Sequence, residues 1–389
     1  MTAELAQAGE RRAADWYELF FDLVFVVVIA ISADQIEVDP SLGSVLVFVL
    51  LFFPLWWAWV NLMVTNNLYG VRFPAIGALV IAAMPGAAAM AIAVSGGIQN
   101  DGWLYASGAA WIRVVLLAMW LIAYAKKAIV VPLWRPLTYN LGTAAVWLGS
   151  IAVPTPYRYV LWAIAVAVEV LLLVVRRGGF SDAVYLDASI SHLLERVGLF
   201  VVIVIGEAVY LSVTELARNP TLGGGAAGIA GLLICALLAR AFFRWGVPTT
   251  EAGLASATRA RSYGAMRDVV MYLPFFLVTA LTLIAAAIGL AVADAVAPLS
   301  IAGRVLLACG IGGFYLVNAA VGIRLGRPLR GIALLAIPGV LLPAIACLLS
   351  GALAAWATVA LAALALVLLD LLSNVLGAHH HAHGDTIST

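Results

Sequence analysis

The sequence predicts an all-α protein, a bundle of about twelve helices that cross a membrane. Three observations predict it. The 389 residues are 65% hydrophobic and 11% charged, whereas soluble globular chains are about 45–50% apolar and about 25% charged. The apolar residues gather in runs close to the ~20 that a helix needs to cross the hydrocarbon layer, where backbone polar groups must be satisfied within the segment. Lys and Arg fall in alternate connections, as the positive-inside rule requires. The same composition excludes a soluble enzyme of this length and a disordered chain. The net charge of +1, from 21 Lys and Arg against 20 Asp and Glu, offers no basic surface to a nucleic acid. Cys235, Cys309 and Cys347 lie in apolar runs, so no disulfide framework is implied.

The runs can be followed in order. The first, about 17–36, follows Arg11 and Arg12 but carries Glu18 and Asp22 and has no small-residue cleavage site, so it is read as a span and not a cleavable signal. The second, about 42–63, contains Phe52-Phe53-Pro54-Leu55-Trp56-Trp57-Ala58-Trp59, expected as an interfacial aromatic belt. The third is about 74–94. The fourth, about 103–125, carries Arg113 near its middle. The fifth, about 138–153, is short and bounded by Pro136 and Pro154, and the sixth is about 157–175. The seventh, about 192–214, is the richest in ionisable residues. After the eighth, about 226–247, comes a long ninth, about 266–293, whose Pro274 predicts a kink or tilt. The last three are about 303–323, 331–349 and 352–376, leaving 377–389 as a disordered cytoplasmic tail. The His379–His383 tract belongs to that tail and is not read as a metal site.

Charge fixes the orientation. With the amino terminus in the cytoplasm, every Lys and Arg falls on the cytoplasmic side except Arg158, Arg218 and Arg304 outside and Arg113 and Arg196 within spans. A miscounted helix would scramble that split, so both termini are expected inside. No connection is long enough for a soluble domain, and the connections at about 176–191 and 248–265 read as linkers, so residues 1–389 form a single transmembrane domain. The first and seventh runs both open with a carboxylate followed by aromatic and β-branched residues. An aromatic cluster follows in the next run of each, Phe242-Phe243-Arg244-Trp245 matching the Trp56–Trp59 stretch. This suggests halves 1–178 and 179–389 related as a 6+6 parallel repeat.

An ionisable side chain at the centre of a bilayer costs about 2.5–3.5 kcal/mol on insertion scales and normally faces a partner inside the bundle. Glu18 and Asp22 are four apart and share a helical face, and like charges that close leave one carboxyl able to exchange a proton near neutral pH. In the seventh run His192, Glu195, Arg196 and Glu207 share an arc of about 120°. Arg196 and Glu207 point almost the same way but stand about 16 Å apart in height, too far to pair directly. Gly198 and Gly206 are expected to let another helix approach. Arg113 is expected to meet a carboxylate, with Glu207 or Asp22 as the preferred partner. Glu169, Asp370, Arg267 and Asp268 lie toward span ends, where snorkelling suffices.

Two stretches resemble a known family. Glu18-Leu19-Phe20-Phe21-Asp22-Leu23-Val24-Phe25-Val26 is similar to the amino-terminal motif of the bacterial low temperature requirement protein A (LtrA) family. His192-Leu193-Leu194-Glu195-Arg196-Val197-Gly198-Leu199-Phe200, ending Ile205-Gly206-Glu207, is similar to its second motif. Pro54-Leu55-Trp56-Trp57-Ala58-Trp59 resembles the segment between them. The likeness is carried by the first 210 residues or so and is weaker beyond, where Val270-Met271-Tyr272-Leu273-Pro274 lacks a His that the family often has. The resemblance implies a multi-pass protein of a bacterial inner membrane, linked by the family's name to growth in the cold. It supplies no substrate.

The reading placed first is a proton- or ion-coupled transporter. Asp22 and Glu207 would exchange protons or bind the cation, Arg113 would balance charge, and His192 would relay protons toward the cytoplasm. Glu18, Glu195 and Arg196 complete the candidate site. An intramembrane enzyme acting on a lipid or isoprenoid, with His192 and Glu195 as base and acid, is the alternative, as is a membrane sensor or scaffold without turnover. No cofactor and no metal site is expected, and no nucleic-acid partner. Membrane lipids, an unidentified small molecule or ion and a second copy of the chain are the expected partners.

Overall fold

The computed structural model describes residues 16–70, 72–128, 132–174, 188–218, 220–260 and 262–384. Arg11, Arg12, Arg176, Arg177, Arg261 and most of the connection predicted at 176–191 lie outside the described residues. What is described is almost wholly helical. In chain order the helices are α1 (Trp16–Val38), α2 (Leu42–Tyr69), α3 (Pro74–Ser95), α4 (Ile98–Ala125), α5 (134–152), α6 (Tyr157–Val174) and α7 (Ile190–Arg218). They continue as α8 (Leu222–Arg259), α9 (Gly264–Ala293), α10 (Ile301–Arg324), α11 (Leu329–Leu349) and α12 (Ala355–Gly384).

Among the described residues, ten of these helices are long and apolar enough to span a bilayer. The other two predicted runs are helical as well: α6 has 18 residues, and α5 passes through π and 3-10 segments between its α-helical parts. The protein is an all-helical, multi-pass membrane bundle with ten to twelve apolar spans. α12 continues to Gly384, through the region where the sequence suggests a tail from residue 377.

The helices are apolar on the outside and selectively polar on the inside. In α1, Leu19, Phe20, Leu23 and Val27 are exposed while Glu18, Phe21, Asp22 and Phe25 are buried. Only a hydrocarbon solvent makes that distribution stable, because it welcomes the leucines and leaves the carboxylates to find partners within the protein.

Contacts divide the chain into two compact units. The first comprises α1 up to Ser32, Leu46–Phe200 and Ala260–Tyr263, and the second Ala33–Val45, Val201–Arg259 and the chain from Gly264. In the first unit, α3 and α4 form a tight hairpin. Gly97 turns it with φ +96°, a conformation costly for any residue with a Cβ. The two helices then touch backbone to backbone: a Cβ on Gly86 would lie 2.8 Å from the carbonyl oxygen of Gly108, and one on Gly108 would meet that of Gly86. Small residues at such a crossing let helices approach in lipid, where packing replaces the hydrophobic drive. Gly108→Ala is therefore expected to destabilise the protein by about 1–3 kcal/mol, the usual range for overpacking, measured by unfolding in bicelles. Gly206 behaves otherwise than the sequence suggests. It is exposed, and a Cβ there meets nothing within 4 Å.

In the second unit α9 is the most enclosed helix, with 83% of its apolar window buried against 17% for Leu329–Ala352. Where Pro274 suggests a kink or tilt, α9 carries a π-helical stretch, Asp268–Tyr272, ending two residues before the proline. A second π stretch, Phe242–Gly246 in α8, ends two residues before Pro248. A proline ring clashes with the carbonyl four residues earlier and gives it no N–H. Widening that turn relieves the clash without breaking the helix. At the helix ends, Asp268 bridges Arg267 and Arg324, and Arg240 pairs with Asp370. Between α8, α10, α11 and α12 lies a cavity of about 120 Å³, whose walls include Trp245, Thr249, Tyr315, Asn318 and Asp370.

Candidate functional site: a buried four-charge cluster

Three helices of the first unit build the cluster. α1 supplies Glu18 and Asp22, each at 0% exposure, and α7 supplies His192 at 1% and Arg196 at 0%. Each pair is four residues apart and so lies one above the other on a helix face. His192 Nε2 is 3.1 Å from Glu18 Oε2, and one turn further Arg196 Nε donates to Asp22 Oδ2 at 3.2 Å. Both rungs join residues 174 positions apart, so the two helices run parallel where they meet. Arg196 Nη2 also donates to Asp22 Oδ1 and to the Glu18 carbonyl at 3.4 Å. Its Nη1 approaches Glu18 Oε1 at 3.6 Å.

α2 closes the cluster from a third side with residues that the sequence reading did not single out for it. Asn66 Nδ2 donates to Glu18 Oε1, and Trp59 Nε1 donates to Asp22 Oδ1 at 2.8 Å. Asn67 Nδ2 faces His192 Nδ1 at 2.9 Å. The signal was present in Asn66-Asn67, two adjacent amides ending a long apolar helix. Amides buried there must hydrogen-bond to something.

The tryptophans correct an expectation. Trp56, Trp57 and Trp59 are each 0–1% exposed, so they form the interior packing of the first unit and not an interfacial belt. Trp59 tilts against Phe200 at 4.6 Å between ring centroids, and the Arg196 guanidinium lies 6.0 Å from its ring. An indole combines a large apolar body with one N–H donor, which suits a wall around a buried carboxylate.

Arg113 does meet a carboxylate, but not Glu207 or Asp22. Its Nε and Nη2 grip Glu169 in a two-point fork at 2.8 and 2.9 Å, and its Nη1 donates to the Ala109 carbonyl at 3.2 Å. Both residues are buried to 1% exposure, which also corrects the snorkelling expected of Glu169. The Trp147 ring sits 5.5 Å from the guanidinium. Depth along a helix does not reveal which helices are neighbours; the partner came from α6, two helices on in the chain. Glu195 is exposed and takes no part in the cluster, because it faces about 100° away from Arg196. Glu207 is half-buried and belongs to the second unit.

The cluster's residues coincide with both motifs quoted from the sequence. The family model for the bacterial low temperature requirement A protein (LtrA) matches residues 13–371. The chain belongs to the LtrA family. The match runs well beyond residue 210, so it also covers most of the second unit. The chain is also similar to "Uncharacterized protein RA0937" of Rhizobium meliloti (strain 1021), at 30% identity over 207 residues. That stretch is 51% of this chain and 50% of the relative, so the chain spans about half the length of the curated relative it matches. In this LtrA family member the buried ionisable residues form internal salt bridges within a polytopic membrane protein.

Proposed function

We propose that the protein is a proton-coupled transporter of a bacterial inner membrane, with the His192–Glu18–Arg196–Asp22 cluster as its coupling site. One observation carries this reading: four ionisable side chains from two helices, each 0–1% exposed, are joined in a continuous chain of polar contacts. With His192 neutral the four side chains carry one net negative charge, and one added proton brings them to zero. At about 1.4 kcal/mol per tenfold change in an equilibrium, a charge change in so dry a place can shift the balance between two packings of α1 and α7. That is the link a coupled transporter requires between protonation and conformation.

Under this reading Glu18 and His192 hold the exchangeable proton. Asp22 and Trp59 orient Arg196, while Arg113 and Glu169 act as a strut. Arg196 Nη1 and Asn66 Oδ1, buried beside the same carboxylate with no hydrogen bond of their own, give the site a spare donor and a spare acceptor. Both termini face the cytoplasm, and the 6+6 parallel arrangement of halves is part of the proposal, as is a small-molecule or ionic cargo.

The test is reconstitution into liposomes enclosing a pH-sensitive dye. A pH gradient or a membrane potential should drive proton movement that is strongly reduced in Glu18→Gln. Absence of proton movement in correctly inserted wild-type protein, with and without a broad panel of small solutes, would overturn the proposal.

A further inference from the structure

The two nitrogens of His192 face different helices. Nε2 looks at Glu18 on α1 and Nδ1 at Asn67 on α2. Which nitrogen carries the proton follows from how Asn67 is held. Its carboxamide is paired twice with the backbone of Ser189, the residue just before α7. The Ser189 N–H donates to Asn67 Oδ1 at 3.0 Å, and Asn67 Nδ2 donates to the Ser189 carbonyl at 3.2 Å. Turning the amide over would set N–H against N–H and carbonyl against carbonyl, so its orientation is fixed by chemistry. The second hydrogen of Nδ2 then points at His192 Nδ1, which must accept it. The imidazole is therefore neutral, with its proton on Nε2 and donated to Glu18.

We infer that Asn67 and Ser189 form a latch that holds His192 as its Nε2–H tautomer and bars a second proton until the end of α2 parts from the start of α7. A proton arriving at Nδ1 would set an N–H against the Asn67 N–H. Once the latch opens, water can deliver a proton to Nδ1 while the proton on Nε2 passes to the Glu18 carboxylate. That leaves a neutral imidazole protonated on Nδ1 and a neutral carboxyl, and the four side chains sum to zero charge. Among the described residues, the charged groups around the ring are Glu18 from α1, Arg196 from its own helix and Asp22 behind Arg196. α2 brings the amides Asn66 and Asn67. Asn67 thus acts as a positioning residue that decides when His192 relays a proton. The latch rests on the proposed proton coupling for its purpose, but not for its existence.

The tautomer can be read directly. His192 is the one histidine outside 379–383, so a ¹⁵N-histidine spectrum of the full-length protein in lipid bilayers, compared with that of His192→Gln, isolates its ring. The expected spectrum has an unprotonated Nδ1 and a protonated Nε2. Asn67→Leu removes the donor and Asn67→Asp replaces it with an acceptor. Either should release the tautomer, so that a signal from a protonated Nδ1 appears, and it should dominate in Asn67→Asp, whose carboxylate accepts from Nδ1–H. A wild-type ring protonated on Nδ1 would overturn the latch, whether or not the variants fold. Proton flux without the tautomer refutes the latch alone, and the tautomer without flux refutes the transporter alone.

Discussion

Arg196→Met is expected to be among the most damaging single replacements in the first unit, lowering stability by about 3–5 kcal/mol, the usual cost of removing one partner from a buried ion pair. The side chain reaches both acids of α1, with Nε and Nη2 on Asp22 and Nη1 3.6 Å from Glu18. Taking it away leaves two carboxylates one turn apart, both fully buried, facing each other across a medium that screens little. Arg196→Lys should recover only part of the loss, because a single ammonium cannot supply the planar fork that engages Asp22 at two points. Unfolding in detergent or bicelles measures the difference. A loss below about 1 kcal/mol, the ordinary scale for exposed pairs, would show that water reaches the cluster and that its charges are not confined.

Much of this was legible before any coordinates. The runs of apolar residues and the alternation of Arg gave the helices. The insertion cost of charge singled out Glu18, Asp22, His192 and Arg196, all four of which meet. The spacing carried further information, because 18 and 22 repeat the interval of 192 and 196, and two i, i+4 pairs on parallel helices can form two rungs. Neighbourhood was not legible. A helical wheel gives direction and depth within one helix, and depth suited Glu207 as a partner for Arg113, yet the partner is Glu169 because α6 is the helix that presents a carboxylate to it. The tryptophans misled for a related reason. Trp near a span end favours the interface when it faces lipid, but Trp56, Trp57 and Trp59 face inward, where an indole N–H can serve Asp22 or, from Trp57, the Tyr139 hydroxyl at 3.0 Å.

The two buried arginines are expected to respond differently to double replacement, and this separates a strut from a working site. Arg113→Met alone should cost about 3–5 kcal/mol, because it strands Glu169. Adding Glu169→Leu should return stability to within about 1–2 kcal/mol of wild type, since a closed pair replaced by apolar side chains of similar volume is often close to neutral. The pair fits that description. Its fork is complete at 2.8 and 2.9 Å, and the third guanidinium nitrogen is satisfied by the Ala109 carbonyl. Arg196→Met combined with Asp22→Leu should recover much less, because Glu18, His192 and Asn66 remain buried beside the missing cation. Arg113→Met/Glu169→Leu should also retain proton movement in liposomes, whereas the Arg196 double variant should lose it. If both doubles recover stability equally, the first-unit cluster is a second strut, and its polar chain holds helices together without coupling them to a proton. If only the Arg113 double recovers, the polar groups left around Glu18 are what distinguish the site, because exchanging Arg196 and Asp22 for hydrocarbon still leaves Glu18, His192 and Asn66 buried together.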